Sequence, residues 1–298
     1  MHILLLGYLG QLGHELRGPL GMFAKLTVSD QPDLNLADLA AVRSRLLEVS
    51  PDLVVNASAY TDVDGAERDP ATATAINASV VALLGEHCRE RKIGLMHVST
   101  DFVFDGRSDK PYEEDDPAHP LGAYGRSKLQ GEQALRELDA PAIVLRTAWV
   151  YSLRRKSFVT SILRLAREKE ELRVVNDQVG NPTFCRDLAQ AMAFLAYGAR
   201  RGAHGAMHEL RGVYHLASPD AASRYEFART IVELDPGRAQ HRLRSLEAVP
   251  TSAFPLPAER PLHAALDCSK AERVLGLRLA PWRESLACAL SPRLVAGS

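Results

Sequence analysis

The first half of the chain alternates short, wholly apolar runs with longer stretches whose apolar positions recur every three or four residues. "HILLLG" runs apolar up to a glycine, the pattern of a strand buried on both faces. "QLGHELRGPL" takes helical spacing, "AKLTVSD" predicts a second strand, and "LADLAAVRSRLLEVSP" predicts an amphipathic helix closed by Pro51. "DLVVNAS", "IGLMHVST" and "PAIVLRTAWVY" predict strands three to five. Between them "DPATATAINASVVALLGEHCRERK" and "YGRSKLQGEQALREL" predict helices. Strand and helix in regular alternation define an α/β fold with a doubly wound parallel sheet.

After Tyr151 the rhythm loosens. "SFVTSILRLAREKEEL" predicts a helix, "RVVND" a short strand, "CRDLAQAMAFLAYGA" a helix and "RRGAHGAMHELRG" a surface loop. "VYHLAS" and "SRYEFARTIVEL" predict a strand and a helix before a tail of Pro-rich loops and "SKAERVLGL". No repeat or low-complexity segment interrupts this order. The pattern predicts two domains, the second smaller and discontinuous: 1–151 plus roughly 174–212, and roughly 152–173 with 213–298.

The 298 residues are 46% hydrophobic and 24% charged, enough to bury a full core without disulfides or metals. A formal net charge of -1 carries no overall basic field, which argues against nucleic acid or an anionic membrane as partner. Cys88, Cys185, Cys268 and Cys288 lie far apart with no C-x-x-C pair, which fits a reducing compartment. The opening "MHILLLG" lacks the features of a signal peptide, and no apolar run approaches membrane-spanning length. The expectation is a soluble cytoplasmic protein.

Gly7, Gly10 and Gly13 form G-x-x-G-x-x-G straight after the first strand and into the first helix. Glycines there allow a tight turn, let backbone N–H groups approach a pyrophosphate, and let helix and strand pack closely. The fold is thus a Rossmann-type sheet for a dinucleotide, which crosses the carboxyl ends of the strands. The second strand ends in Ser29 and Asp30 with no Arg beside them in sequence. An acid there holds a ribose 2′-hydroxyl, whereas a small polar residue with a nearby Arg accommodates a 2′-phosphate. The cofactor is therefore NADPH or NADH, with neither preferred by more than about a hundredfold. Asp33 reads equally as an adenine-side contact and as a loop acid or helix cap. Ala59, Tyr60 and Thr61 follow the third strand, and Ser99, Thr100 and Asp101 end the fourth.

Tyr124 and Lys128 stand four apart at the start of a helix and share one face. A phenol with its ordinary pKa of about 10 exchanges protons poorly at neutral pH. A neighbouring ammonium and a positive nicotinamide ring both favour phenolate and predict a lowered pKa. With the Thr100 hydroxyl in the same cleft, the three suit hydride transfer to a ketone with Tyr124 as proton donor.

These motifs resemble the extended short-chain dehydrogenases/reductases, and in particular their dTDP-4-dehydrorhamnose reductase branch. The resemblance covers nearly the whole chain: "GYLGQLGHEL", "VVNASAYTDVDGAE", "HVSTDFVFDG", "YGRSKLQGE", "VLRTAWVYS", "VVNDQVGNPT", "GVYHLAS" and "ERPLHAALDCSK" follow in the family's order. It implies an NAD(P)-binding domain, a smaller nucleotide-sugar domain, and reduction of the C4 ketone of dTDP-4-dehydro-L-rhamnose to dTDP-L-rhamnose; the alternatives are a reductase of another nucleotide-linked 4-keto-6-deoxy sugar and a non-catalytic NADP-binding subunit resembling the regulatory subunit of methionine adenosyltransferase. Tyr124 matches the proton donor, Lys128 the lysine that holds the nicotinamide ribose, and Thr100 the hydroxyl that tunes the site. Asp101 and Trp149 match substrate contacts. Gly10, Gln11, Leu12 and Gly13 match the phosphate turn, Asp33 and Leu34 the adenine-side pair, and Ala59, Tyr60 and Thr61 the cofactor-facing loop.

Three departures bear on the substrate. Phe102 stands where the family commonly has Tyr, so one hydroxyl is missing near the sugar. His263 and Ala264-Ala265 stand where Asn and Ser-Arg are more common. Arg260 is kept, and reads equally as a partner for a diphosphate oxygen and as a salt bridge with Glu259 or another acid. Some relatives bind a metal at a dimer interface through Glu15 and later acids. The later acids have no evident counterpart here, which predicts no metal and leaves Glu15 as a first-turn helix acid. The resemblance allows a homodimer, and a nucleotide-sugar substrate.

Overall fold

The computed structural model describes residues 1–199 and 207–291. Its centre is a six-stranded, all-parallel sheet built from β1 (His2–Leu6), β2 (Lys25–Ser29), β3 (Leu53–Asn56), β4 (Gly94–Thr100), β5 (Ala142–Thr147) and a late strand, β10 (Gly212–His215). The spatial order is β10-β5-β4-β3-β1-β2, so the direction of winding reverses between β1 and β3. A ligand of such a sheet lies at that reversal, outside the carboxyl ends of the strands. One face of the sheet packs on α1 (Gln11–Gly21) and α8 (Cys185–Ala199) through Leu12, Leu16, Leu188 and Met192. The other packs on α2 (Leu39–Val49) and α5 (Val80–Arg91) through Val42, Leu46, Val80 and Leu84.

A second hydrophobic cluster lies outside this sheet. α7 (Phe158–Glu168), α9 (Arg224–Leu234) and α10 (Trp282–Leu290) contribute Val159, Ile162, Phe227, Ile231, Trp282 and Leu286. Beside them β7 (Glu171–Val175) pairs parallel with β12 (Ser245–Val249).

Several sequence expectations move. Gly212–His215 joins the central sheet beside β5, while Glu171–Val175 pairs with a strand of the second cluster. The boundary expected near 213 falls inside a strand of the central sheet, and the one near 174 falls at the end of Glu171–Val175. The long fifth strand stops at Thr147: Trp149 has φ 44°, in the left-handed region, and no strand continues through it. Val150–Tyr151 restarts as β6 against β9 (Thr183–Phe184). The helix expected to run on from Glu168 through Leu172 ends at Glu168. The second helix ends not at Pro51 but at Ser50, which takes the left-handed C-cap. The long helix over 69–92 forms in three parts, α4 (Pro70–Thr74), a π-turn at Ala75–Ser79, and α5. Within the loop expected over 200–212, residues 200–206 lie outside the described residues, and the Met207 that follows is buried in the core.

Candidate active site

The carboxyl ends of β1, β3 and β4 open into a cavity of about 780 Å³ lined by the glycine turn, Ala59, Thr61, Thr100, Tyr124 and Lys128. The turn after β1 is shaped by absent side chains. Gly7 takes φ 81°, and a Cβ there would stand 2.7 Å from the Ser58 backbone. A Cβ on Gly13 would stand 2.0 Å from the Gly7 carbonyl oxygen. Gly10 caps α1 and donates its N–H to Gly7 O at 3.0 Å. Gln11 ties this turn to the far side of the cleft, its Oε1 accepting from Ser152 N at 2.8 Å. This cradle of backbone at a helix N-terminus fits the pyrophosphate of a dinucleotide. Leu12 contributes to the core beneath it.

At the end of β2, Asp30 lines the cavity and accepts the Leu9 N–H at 2.9 Å. Ser29 is buried, and α2 brings Arg45 to it, Nε donating to the Ser29 hydroxyl at 3.0 Å. An arginine does therefore stand beside Ser29, although it is distant in sequence; neither residue lines the cavity. Asp33 is exposed and Leu34 is packed in the core, so this pair does not line the cavity; Gln31 and Leu36 do. Tyr60 does not line the cavity; its backbone N–H donates to Asn77 Oδ1 of the π-turn at 2.9 Å.

Tyr124 and Lys128 lie on α6 (Ala123–Glu137), which two glycines bring close to its neighbours. A Cβ on Gly125 would stand 2.2 Å from the Phe102 carbonyl oxygen, and one on Gly131 would stand 2.3 Å from that of Asn77. α6 thus sits directly against the end of β4, with Tyr124 in edge contact with Phe102 at 5.5 Å. Thr100 donates its hydroxyl to Asp101 Oδ1 at 3.0 Å and accepts the Phe102 N–H at 3.2 Å. The other Asp101 carboxylate oxygen is buried without a partner.

The proton balance of the site differs from the expectation. Burial pushes the Tyr124 phenol up to about 12, with the Thr100 hydroxyl pulling it back and the Asp101 charge adding to the rise. The expected depression by Lys128 is absent. Lys128 Nζ donates instead to the Val98 carbonyl at 2.7 Å and lies 3.4 Å from His97 Nε2. Burial lowers Lys128 to about 8, opposed by the Glu132 carboxylate one turn on. Burial raises Asp101 to about 6, against the pull of Thr100 and of Arg224.

Beneath Lys128 lies a buried polar pair, Asn56 and His97. Asn56 Oδ1 accepts the Ser58 backbone N–H at 3.1 Å, which orients the amide. Its Nδ2 lies 3.1 Å from His97 Nδ1, and the other ring nitrogen, Nε2, faces Lys128. His97 is fully buried and held well below its ordinary pKa by that burial and by the Lys128 charge. Neither His97 nor Asn56 was singled out in the sequence, where both read as strand interior.

Of the remaining expected residues, Trp149 lines the cavity and Arg260 does not. Arg260 is held in a bidentate pair with Asp64, at 2.8 and 2.7 Å. Arg224, Arg155 and Lys156 line the cavity instead. The "RRK" run at 154–156 was a legible signal; Arg224, the first residue of a helix, gave none. Glu15 lies beyond the first turn of α1 and pairs with Arg186 of α8 at 3.2 Å. Among the described residues, no three acids, histidines or cysteines gather as a metal site.

The parallel sheet and the glycine turn after its first strand are those of the extended short-chain dehydrogenases/reductases. Residues 1–294 match the family described as the RmlD substrate binding domain, and the chain belongs to that family. It is 40% identical over 292 residues to a dTDP-4-dehydrorhamnose reductase of Burkholderia thailandensis, covering 95% of this chain and 96% of the relative. A dTDP-4-dehydrorhamnose reductase structure from Clostridium acetobutylicum aligns with TM-score 0.88 at 32% identity, covering 97% of this chain and 98% of that one. The Bacillus anthracis reductase in complex with NADP aligns with TM-score 0.86 at 29% identity, covering 100% and 99%.

Proposed function

We propose that the chain reduces the C4 ketone of dTDP-4-dehydro-L-rhamnose to dTDP-L-rhamnose at the expense of NADPH or NADH. The observation that carries this reading is that Thr100, Tyr124 and Lys128 meet in one cavity with the glycine turn. The names and the bound NADP of the relatives support it. The central sheet would bind the cofactor, and the α7–α9–α10 cluster would complete the nucleotide-sugar site. The Gly7–Gly13 cradle and Gln11 would hold the pyrophosphate, and Asp30 the adenine ribose. When bound, the reduced nicotinamide supplies the hydride.

The residues divide the remaining work. Tyr124, kept protonated by burial, gives its proton to the oxygen formed from the ketone. Lys128 holds the ribose near the phenol and supplies positive charge as that proton leaves. Thr100 and Asp101 orient the oxygen and the sugar, and Trp149 and Phe102 wall the ring. Loss of NADPH absorbance on mixing purified protein with dTDP-4-dehydro-L-rhamnose tests the reading. Tight NADPH binding with no turnover on this or any other dTDP- or UDP-linked 4-keto-6-deoxy sugar overturns it. The four cysteines are free thiols, in keeping with a cytoplasmic place of action. A homodimer is the assembly proposed. Among the described residues, no helix is long and apolar enough to cross a membrane.

Two expected results follow from the site's charges. The free enzyme's kcat/KM rises through about pH 6 as Asp101 ionises and falls through about pH 8 as Lys128 loses its proton. Asp101→Asn removes the acidic limb; an acidic limb unchanged in that variant refutes the assignment. Asp30→Ala raises the NADPH-to-NADH ratio of kcat/KM by about tenfold, because a carboxylate that repels a 2′-phosphate is gone. Steady-state kinetics with both cofactors read this directly, and an unchanged ratio removes Asp30 from the ribose site.

A further inference from the structure

Arg224 is a cation without a counterpart. Its guanidinium lies 3.6 Å over the Trp149 ring and 5.1 Å from that of Phe158. Among the described residues the guanidinium makes no hydrogen bond or ion pair; only the backbone N–H of Arg224 is engaged, with Gln178 O at 3.1 Å. Burial lowers its pKa to about 10, so it stays charged at neutral pH. Asp101 is near enough for its charge to be felt. Yet Asp101 Oδ1 takes the Thr100 hydroxyl and Oδ2 is unpartnered, so the two groups do not bond. A planar group with five N–H donors thus lines the cavity with nothing to receive them.

The seat beneath it is built. Trp149 is turned into place by its left-handed backbone, and a Cβ on Gly180 would stand 2.7 Å from its indole. Stacking on the indole holds the guanidinium flat and leaves its edge free for a second partner. Of the other cations of the cavity, Lys128 is held at the Val98 carbonyl, and Arg155 and Lys156 follow the Ser152 that Gln11 holds, beside the glycine turn. Arg260, which read equally as a diphosphate partner and as a salt bridge, forms the salt bridge, paired bidentately with Asp64.

We propose that Arg224 binds the diphosphate of the nucleotide sugar, with Trp149 as the platform that aims its donors. Phosphate oxygens are the acceptors that a fixed guanidinium edge matches best, as bidentate charge-assisted hydrogen bonds. Asp101 sets the polarity of the seat: the sugar's uncharged ring faces the Asp101–Thr100 side, and its anionic end faces Arg224. This rests on the nucleotide-sugar reading above and names the residue that would carry its charge recognition.

Isothermal titration with dTDP, thymidine and NADPH, on wild type and on Arg224→Gln and Arg224→Lys, tests it. Arg224→Gln weakens dTDP binding by about tenfold to a hundredfold, the loss expected for hydrogen bonds to a charged group. Thymidine and NADPH affinities stay within about threefold. Arg224→Lys, which keeps the charge and loses the fork, falls between. In turnover, KM for the keto sugar rises more than kcat falls. Undiminished dTDP affinity in Arg224→Gln overturns the proposal. So does an equal loss for thymidine, which marks packing, or a loss confined to NADPH, which marks a cofactor contact. A wild type that binds no dTDP and reduces no dTDP-linked sugar defeats the functional reading itself.

Discussion

Tyr124→Phe lowers kcat for the keto sugar by about 10²- to 10⁴-fold, the range for loss of a positioned proton donor, and leaves NADPH affinity nearly unchanged. The phenol is the group in the cavity able to hold a proton at neutral pH and release it to a developing alkoxide. Thr100 has already committed its hydroxyl proton to Asp101. Lys128 is directed at the Val98 carbonyl. The ring itself is held by Phe102 and by the close seating of α6, neither of which Phe disturbs. A stopped-flow measurement of NADPH oxidation separates chemistry from binding. A Phe variant within about threefold of wild type, far below the usual contribution of general acid catalysis, removes Tyr124 from the role.

The second large effect is on stability. Arg146 of β5 and Glu132 of α6 form a buried pair, Nη2 to Oε2 at 2.7 Å and Nε to both carboxylate oxygens at 3.1 Å. Ser99 Oγ donates to the same carboxylate, and Phe104 lies 5.1 Å from the guanidinium. Arg146→Leu leaves the Glu132 carboxyl buried without its cation, and costs about 3–5 kcal/mol of folding free energy. The double variant Arg146→Leu/Glu132→Leu comes closer to wild type than either single change, because two apolar side chains leave no stranded charge. Urea titration of the four proteins gives the comparison; a single Arg146→Leu costing less than about 1 kcal/mol contradicts it. The pair also bears on the site. Glu132 follows Lys128 by one helical turn and steadies Ser99, the neighbour of Thr100, so the loss should reach turnover before the protein unfolds.

How much of this was legible beforehand depended on the range of the interactions. The glycine turn and the strand-end residues were readable because each is defined by neighbours in sequence. A glycine after a buried strand and before a helix has one geometric use. Tyr124 and Lys128 were readable because helical spacing alone puts them on one face. The different settings of Arg224 and Arg260 were hidden because a charge at a helix start and a charge in a loop look alike in one dimension. Their partners, Trp149 and Asp64, come from distant segments. The same limit hid Arg45 beside Ser29, and His97 beneath Lys128.

By itself, the sequence determined the parallel sheet, the dinucleotide turn and the Tyr–Lys pair, since these follow from local apolar patterning and from residue types at short, regular spacing. Only the tertiary structure decided which strand completes the sheet, how burial sets the proton affinities of Tyr124, Lys128 and Asp101, and which arginine remains free to meet an anion. Desolvation and charge pairing depend on what the fold brings within a few ångströms, and no spacing along the chain encodes that distance.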